Sequence, residues 1–297
     1  MPAETLKTLR SLVAPLRVKP GAKVRLPNDF DPAYTAKFRD REHAEAALAV
    51  GVDLLRDLQP KLAAQERFAL VVVLQGMDAA GKDSTIKHVM SGLNPQGVTV
   101  HSFKVPSNEE LLHDYLWRYA RELPSRGMIG MYNRSHYEEV LVVRVHPELL
   151  GRQHHPPPGH RDLWQQRFDE INDWERYLVD NGIAVLKLFL NVSKEEQRRR
   201  FLERLDNPDK TWKFTLADVR ERRFWDDYQH AYSEMLSHTS TELAPWHVIP
   251  ADHKWFARLA AASSVLDALE RLRPSYPRRV SIPKADLERA RAELEAE

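Results

Sequence analysis

The chain has 297 residues, 42% of them hydrophobic, enough for one large core in a single domain with appendages. Its 44 Lys and Arg against 43 Asp and Glu leave a net charge of +1, which excludes a global field drawing it to nucleic acid or membrane, so affinity for a polyanion must come from local clustering. Zero cysteines exclude disulfides, thiolate metal sites and cysteine nucleophiles; with a start too charged for a signal peptide and no run of 18 apolar residues, the expected compartment is the cytoplasm.

Residues 1–40 read as an N-terminal extension, an amphipathic stretch (Leu6, Leu9, Leu12, Val13) followed by a basic coil. In that coil Lys19, Lys23 and Arg25 are either solvated charges or a lip on an anion groove. Apolar spacing from His43 to Gln65 predicts a helix broken near Pro60, whose exposed apolar face is a candidate contact between subunits. The run Val71, Val72, Val73, Leu74 has no alternation, as in a strand of a parallel sheet covered on both faces. It passes into Gly76-Met77-Asp78-Ala79-Ala80-Gly81-Lys82-Asp83, which matches the phosphate-loop pattern G-x-x-x-x-G-K. Gly76 and Gly81 permit positive φ, so that successive amides at the start of the following helix can point at phosphate oxygens, and Lys82 adds a mobile charge. The bland alternative is a glycine turn joining a core strand to a helix. After the lysine, Asp83 replaces the usual Ser or Thr that binds Mg2+, with Ser84 and Thr85 next. Asp78 projects a carboxylate toward the phosphates, an arrangement that makes physical sense when a hard dication sits between them.

Residues 98–103 read as a second strand, and Ser107 with Glu110 as a capping box opening a helix through about Leu123. A third strand at 127–132 ends in the polar cluster Asn133 to Glu139, at the carboxyl edge of the sheet where open α/β folds keep their ligands. His136 reads as a satisfied polar residue there. The three histidines of the proline-rich stretch 151–160 fit a solvated loop better than a metal site. A helix at 163–178, a strand at 183–192 and a second capping box, Ser193 with Glu196, lead into a basic segment. There Arg198, Arg199, Arg200, Arg204, Lys210 and Lys213 outnumber Glu203, Asp206 and Asp209, with Phe201, Leu202 and Leu205 as the expected buried stripe. Asn207-Pro208 breaks the helix, so the segment is either a solvated helix with ion pairs or, joined to the phosphate loop, a lid over about 198–225. A fifth strand at 246–250, a closing helix at 254–271 and a charged tail at 278–297 complete the chain. Strands alternating with helices define an α/β domain, 1–277, around a mainly parallel five-stranded sheet.

Taken together, GMDAAGKD (76–83), NPQGV (94–98), FKVPS with DYLWR (103–118), MYNRSHYEEVLVVRV (131–145), and RLDNPDKTWKF with STELAPWHVIPA (204–251) resemble the type 2 polyphosphate kinases, or polyphosphate:nucleotide phosphotransferases. The likeness runs from about residue 16 to residue 277. It implies a three-layer P-loop kinase fold with a helical lid, related to thymidylate kinase, and phosphoryl transfer between inorganic polyphosphate and a nucleotide with Mg2+, or Mn2+ in its place. By position it implies that Asp78 holds the metal and orients the acceptor, that Lys82 and Arg134 neutralise charge on the transferred group, and that Arg200, Arg204, Lys210 and Lys213 belong to the lid. The phosphate- and nucleotide-binding set would be Gly76, Ala79, Ala80, Gly81, Lys82, Asp83, Ser84, Lys87, Arg118, Asn133 and Glu138. One subgroup carries Asp where this chain has Asn133; NRSHYE is more similar to the subgroup accepting nucleoside mono- and diphosphates. Homo-oligomers, dimers or tetramers, are the implied assembly. An ATP-dependent nucleoside monophosphate kinase and a non-catalytic polyphosphate-binding protein are the competing readings.

Overall fold

The computed structural model describes residues 2–36, 38, 40–153, 162–277 and 282–297. Its five strands are β1 (Ala69–Gly76), β2 (Val98–Ser102), β3 (Ile129–Asn133), β4 (Ile183–Asn191) and β5 (Trp246–Pro250). They form one sheet in the order β2-β3-β1-β4-β5, every pairing parallel. The apolar run at 71–74 therefore lies in the central strand, and all eight residues of β1 are buried. Leu74 stands beside Asn133 and Gly76 beside Leu190, so the carboxyl ends of three neighbouring strands finish at one edge.

The helices, in chain order, are α1 (Pro2–Val13), α2 (Arg41–Gln65), α3 (Lys82–Val89), α4 (Asn108–Leu111), α5 (Trp117–Ala120), α6 (Val142–Val145) and α7 (Leu163–Asp180). They continue as α8 (Lys194–Asp206), α9 (Pro208–Thr211), α10 (Leu216–Glu221), α11 (Trp225–Thr239), α12 (Lys254–Arg271) and α13 (Lys284–Glu295). The alanine-rich α12 packs close against β4, β5, α2 and α3 on one face of the sheet. On the other face α7 and α11 cover β4, where the rings of Phe189 and Tyr232 stand 4.4 Å apart.

Several local expectations change in the fold. Pro60 lies inside an unbroken α2, since the helix is held along its length: Leu55 and Leu62 are fully buried and Gln59 exchanges hydrogen bonds with the backbone of Asn94. The apolar side of α2 is spent on α12 and α1 of its own chain, which removes it as the contact between subunits. The N-terminal segment joins the same core, with Leu9, Leu12 and Leu16 buried and the Val18 amide donating to the Trp246 carbonyl. The Ser107–Glu110 capping box forms, but its helix stops at Leu111, and Asp114 caps a new turn by accepting from the Leu116 amide at 3.0 Å. At Ser193 only half a box forms, because Glu196 is drawn away by Arg199 and Arg200. Leu202 and Leu205 are exposed, leaving Phe201 as the buried anchor of α8. The histidines of 154–160 fall outside the described residues, and α13 lies on the surface with no buried residue.

Candidate active site

The loop between β1 and α3 owes its shape to two glycines. Gly76 has φ +155°, and a Cβ there would lie 3.0 Å from both the Cβ and the carbonyl oxygen of Leu190. Gly81, at φ +110°, occupies backbone space open in practice only to glycine, and it starts α3. The first amides of that helix have no intrahelical acceptor, and Gly81, Lys82, Asp83 and Ser84 line the cleft, which is what an anion cradle requires. Lys82 Nζ rests on the loop itself, donating to the carbonyls of Gly76 at 2.5 Å and Met77 at 3.2 Å. Burial, followed by the charge of Arg134, lowers its pKa to about 8.

β3 delivers the second half of the site. Its ladder ends with the Arg134 amide donating to the Leu74 carbonyl, and Arg134 then turns at φ +64°, a conformation few non-glycine residues adopt. Its guanidinium bridges two carboxylates, Asp78 Oδ1 at 2.7 Å and Glu138 Oε2 at 2.9 Å, whose charges hold it above the usual arginine range. Beside it, Asn133 donates to Asp83 Oδ1 at 2.7 Å, so the residue replacing the usual Ser or Thr is tied to the end of β3.

Together with the second half of α8 and residues of α9, α10 and α12 these residues line a cleft of about 830 Å3. It gathers Asp78, Ala79, Gly81, Lys82, Asp83, Ser84, Asn133 and Arg134 with Arg200, Arg204, Lys210 and Lys213. Nine cationic side chains meet four carboxylates on its walls, so a chain of net charge +1 concentrates positive charge here. Gly76 and Ala80 shape the loop from behind, and Glu138 reaches the cleft only through Arg134. Two expected residues lie elsewhere. Lys87, on the solvent side of α3, is outside the cleft, and Arg118 is buried against Glu110 and the rings of Phe103 and Tyr119.

Arg200 has a different task from the one expected of a lid cation. Only 3% exposed, it donates to the carbonyls of Ala79, Ala80, Ala251 and Asp252 and to Glu196, pinning the back of the loop to the end of β5. Arg204, over the ring of Phe201, and Lys213, over that of Trp212, remain at the cleft; Lys210 is paired with Glu203. Lys104, Trp212, Lys254 and Arg258 also line the cleft without having been expected there. Lys104 and Trp212 belong to the FKVPS and RLDNPDKTWKF stretches, whereas Lys254 and Arg258 start a helix far along the chain, and Arg258 reaches Ser84 Oγ at 2.9 Å only through the fold.

The donor set suits a divalent cation of the magnesium type. Among the described residues no group of three or more His, Asp or Glu could hold a metal alone. Asp78 presents a carboxylate one-third exposed to the cleft, and Mg2+ characteristically takes one or two carboxylates and fills its sphere with water and phosphate oxygens.

A glycine loop on the central strand of a parallel sheet, facing a cationic cleft under short helices, defines a P-loop phosphotransferase. The polyphosphate kinase 2 family model matches residues 38–276, and the chain belongs to that family. It is 47% identical to the ADP-polyphosphate phosphotransferase of Rhodopseudomonas palustris, over 94% of this chain and 96% of the relative. With the AMP/ADP-polyphosphate phosphotransferase of Meiothermus ruber it shares 46% identity, over 88% and 94% respectively. The crystal structure of polyphosphate kinase 2 from Arthrobacter aurescens superposes with a TM-score of 0.81 at 38% identity, covering 93% of this chain and 98% of that one.

Proposed function

We propose that this enzyme transfers a phosphoryl group between inorganic polyphosphate and nucleoside mono- or diphosphates, AMP and ADP foremost and GMP or GDP as further acceptors. The observation that carries the reading is the cleft with nine cationic side chains, which extends along α8 to α10 well past the loop. A long polyanion would use that length; a single triphosphate would not.

Phosphoryl transfer passes through a loose transition state, so the protein's work is alignment and charge compensation. Lys82 trades its two carbonyl acceptors for phosphate oxygens, and Arg134, already fixed by Asp78 and Glu138, faces the transferred group. The attacking oxygen of the nucleotide phosphate is anionic near neutral pH and needs no side-chain base. Bound at Asp78, Mg2+ or Mn2+ would supply further neutralisation of the phosphate charge. Arg204, Lys210 and Lys213 close over the chain and exclude water, while Asn133 and Glu138 belong to the acceptor side. Lys19, Lys23 and Arg25 are solvated charges away from this cleft, and a cytoplasmic homo-oligomer is the working form, testable by light scattering and cell fractionation.

Phosphorus NMR on the enzyme with polyphosphate, ADP and Mg2+, without ATP, tests the reading: γ- and β-phosphate signals of ATP are expected. An ATP-dependent monophosphate kinase would only disproportionate ADP into equal amounts of ATP and AMP, leaving the polyphosphate signals undiminished, whereas transfer from polyphosphate consumes them and raises the total phosphate carried on nucleotide; a mere binding protein would do neither.

Two arginines four residues apart should separate in the same assay. Arg200→Ala removes donors to four backbone carbonyls and should cost about 3 kcal/mol of stability, seen as a lower melting temperature. Arg204→Ala should leave melting within a few degrees and raise the KM for polyphosphate roughly tenfold. Equal melting temperatures for the two variants would contradict the assignment.

A further inference from the structure

A buried amide joins the phosphate loop to the return limb of the lid. Gln197, on α8 one turn before Arg200, is 1% exposed. Its Nε2 donates to the Asp78 carbonyl at 2.9 Å, and its Oε1 accepts from Arg222 at 2.6 Å. Arg222 follows α10, where the lid returns to the body of the protein, and it also donates to the Lys194 carbonyl at 3.1 Å. With Arg200 holding Ala79 and Ala80, α8 thus grips three consecutive carbonyls of the loop, Asp78, Ala79 and Ala80. Gln197 differs from Arg200 in having a second partner that belongs to the lid. It also walls a small cavity beside Asp78, shared with Glu138, Glu221 and Arg222.

We propose that Gln197 is a positioning residue that transmits the lid's closure, through Arg222, to the backbone of Asp78 and hence to the Asp78–Arg134 pair. A primary amide suits the task because it donates at one end and accepts at the other. Movement of the lid's return limb shifts Arg222, Arg222 pulls the amide, and the amide turns the peptide that carries Asp78. The Asp78 carboxylate meets Arg134 at 2.7 Å, so a small rotation of that peptide changes the alignment of both groups. Closure over a phosphate chain and completion of the catalytic pair become one event. The proposal rests on the phosphotransfer reading for its chemistry, though the mechanical link stands on the hydrogen bonds alone.

Three variants test it. Gln197→Glu keeps the bond to Arg222 and turns an acceptor toward the Asp78 carbonyl; Gln197→Leu removes both bonds; Arg222→Met removes the lid's side only. Each should lower kcat about 10- to 100-fold, with KM for ADP changed less than threefold and the melting temperature within a few degrees of wild type. The Gln197→Leu/Arg222→Met double variant should be no slower than Gln197→Leu, since both act on one linkage. Hydrogen exchange with tripolyphosphate alone gives a readout independent of turnover: wild type should gain protection at 207–215 and 78–81 together, and Gln197→Leu only at 207–215. Wild-type kcat in Gln197→Glu, additive effects in the double variant, or loop protection that still follows the lid in Gln197→Leu would each overturn the coupling. Absence of any transfer from polyphosphate by wild-type enzyme would instead sink the functional reading, and the exchange experiment would still decide the linkage.

Discussion

Lys82→Met should lower kcat for transfer from polyphosphate to ADP by about a thousandfold, near 4 kcal/mol of transition-state stabilisation, with stability changed by no more than about 1 kcal/mol. The two effects part because Lys82 is badly solvated where it rests. Its amine sits among loop carbonyls with Arg134 nearby, and those surroundings lower its pKa to about 8. Removing it abandons two hydrogen bonds and also relieves a buried charge, so folding gains nearly what it loses. Phosphate reverses the balance, since a polyanion in the cleft favours the charged amine. Below pH 8 the free enzyme carries the charge needed to receive the chain, and above it that charge is lost. Hence kcat/KM for polyphosphate, which reports the free enzyme, should fall on the alkaline side with an apparent pKa near 8. The kcat limb, which reports the loaded enzyme, should fall at higher pH. Coincident limbs, or Lys82→Met retaining a tenth of wild-type turnover, would show that the lysine does not face the transferred group.

What could be read in the chain before folding, and what could not, divides by sequence distance. The phosphate loop was legible because its glycines, lysine and preceding strand are local, and the sheet because apolar runs announce buried strands. The placement of Asn133 and Arg134 beside the loop followed from the rule that carboxyl ends of parallel strands share an edge. Arg200 lies at the cleft as its arginine-rich surroundings suggest, but its task was misjudged for the opposite reason: its acceptors lie about 120 residues earlier and 51 later in the chain. No local pattern encodes that. Arg258 and Gln197 were missed on the same ground, since each acquires its partner only when α12 or α8 is laid against the loop. Lys187 was passed over although its signal was local: a single lysine inside the apolar run Ile183–Asn191 requires a buried partner.

That partner sets the second large effect. Lys187, fully buried, donates to Glu175 Oε2 at 2.6 Å, to the Tyr137 hydroxyl at 2.9 Å and to the Thr239 carbonyl at 2.6 Å. The other oxygen of Glu175 accepts from the Tyr137 hydroxyl at 2.7 Å and faces His136 Nε2 at 3.3 Å. Burial lowers the lysine's pKa; it also pushes Glu175 up, but the charge of Lys187 and the contact with His136 more than offset it, leaving the carboxyl below its ordinary range. Burial lowers the His136 pKa too, against the opposing pull of Glu175, and so disfavours its charged form. This cluster anchors the residues that immediately follow Arg134.

Lys187→Met should therefore destabilise the protein by about 3–5 kcal/mol, because it leaves a carboxylate buried without a counter-charge. The loss should depend on pH in a definite direction. With Lys187 gone, burial dominates and the folded-state pKa of Glu175 rises above its unfolded value, so the variant is helped at low pH by a protonated carboxyl. That help is lost as pH rises through the raised pKa, and the gap from wild type should widen between pH 5 and 8. Glu175→Gln alone leaves the lysine stranded and should cost a similar amount. The Lys187→Met/Glu175→Gln double variant, which buries no charge, should recover most of the stability while the new side-chain amide still accepts from Tyr137. Urea melts of the four proteins at both pH values measure this, and a double variant as weak as the sum of the singles would show that the pair is not a unit. Activity provides the functional arm. If the cluster holds Arg134 in place, turnover should fall in each single variant under conditions where it is fully folded, and return in the double variant along with stability.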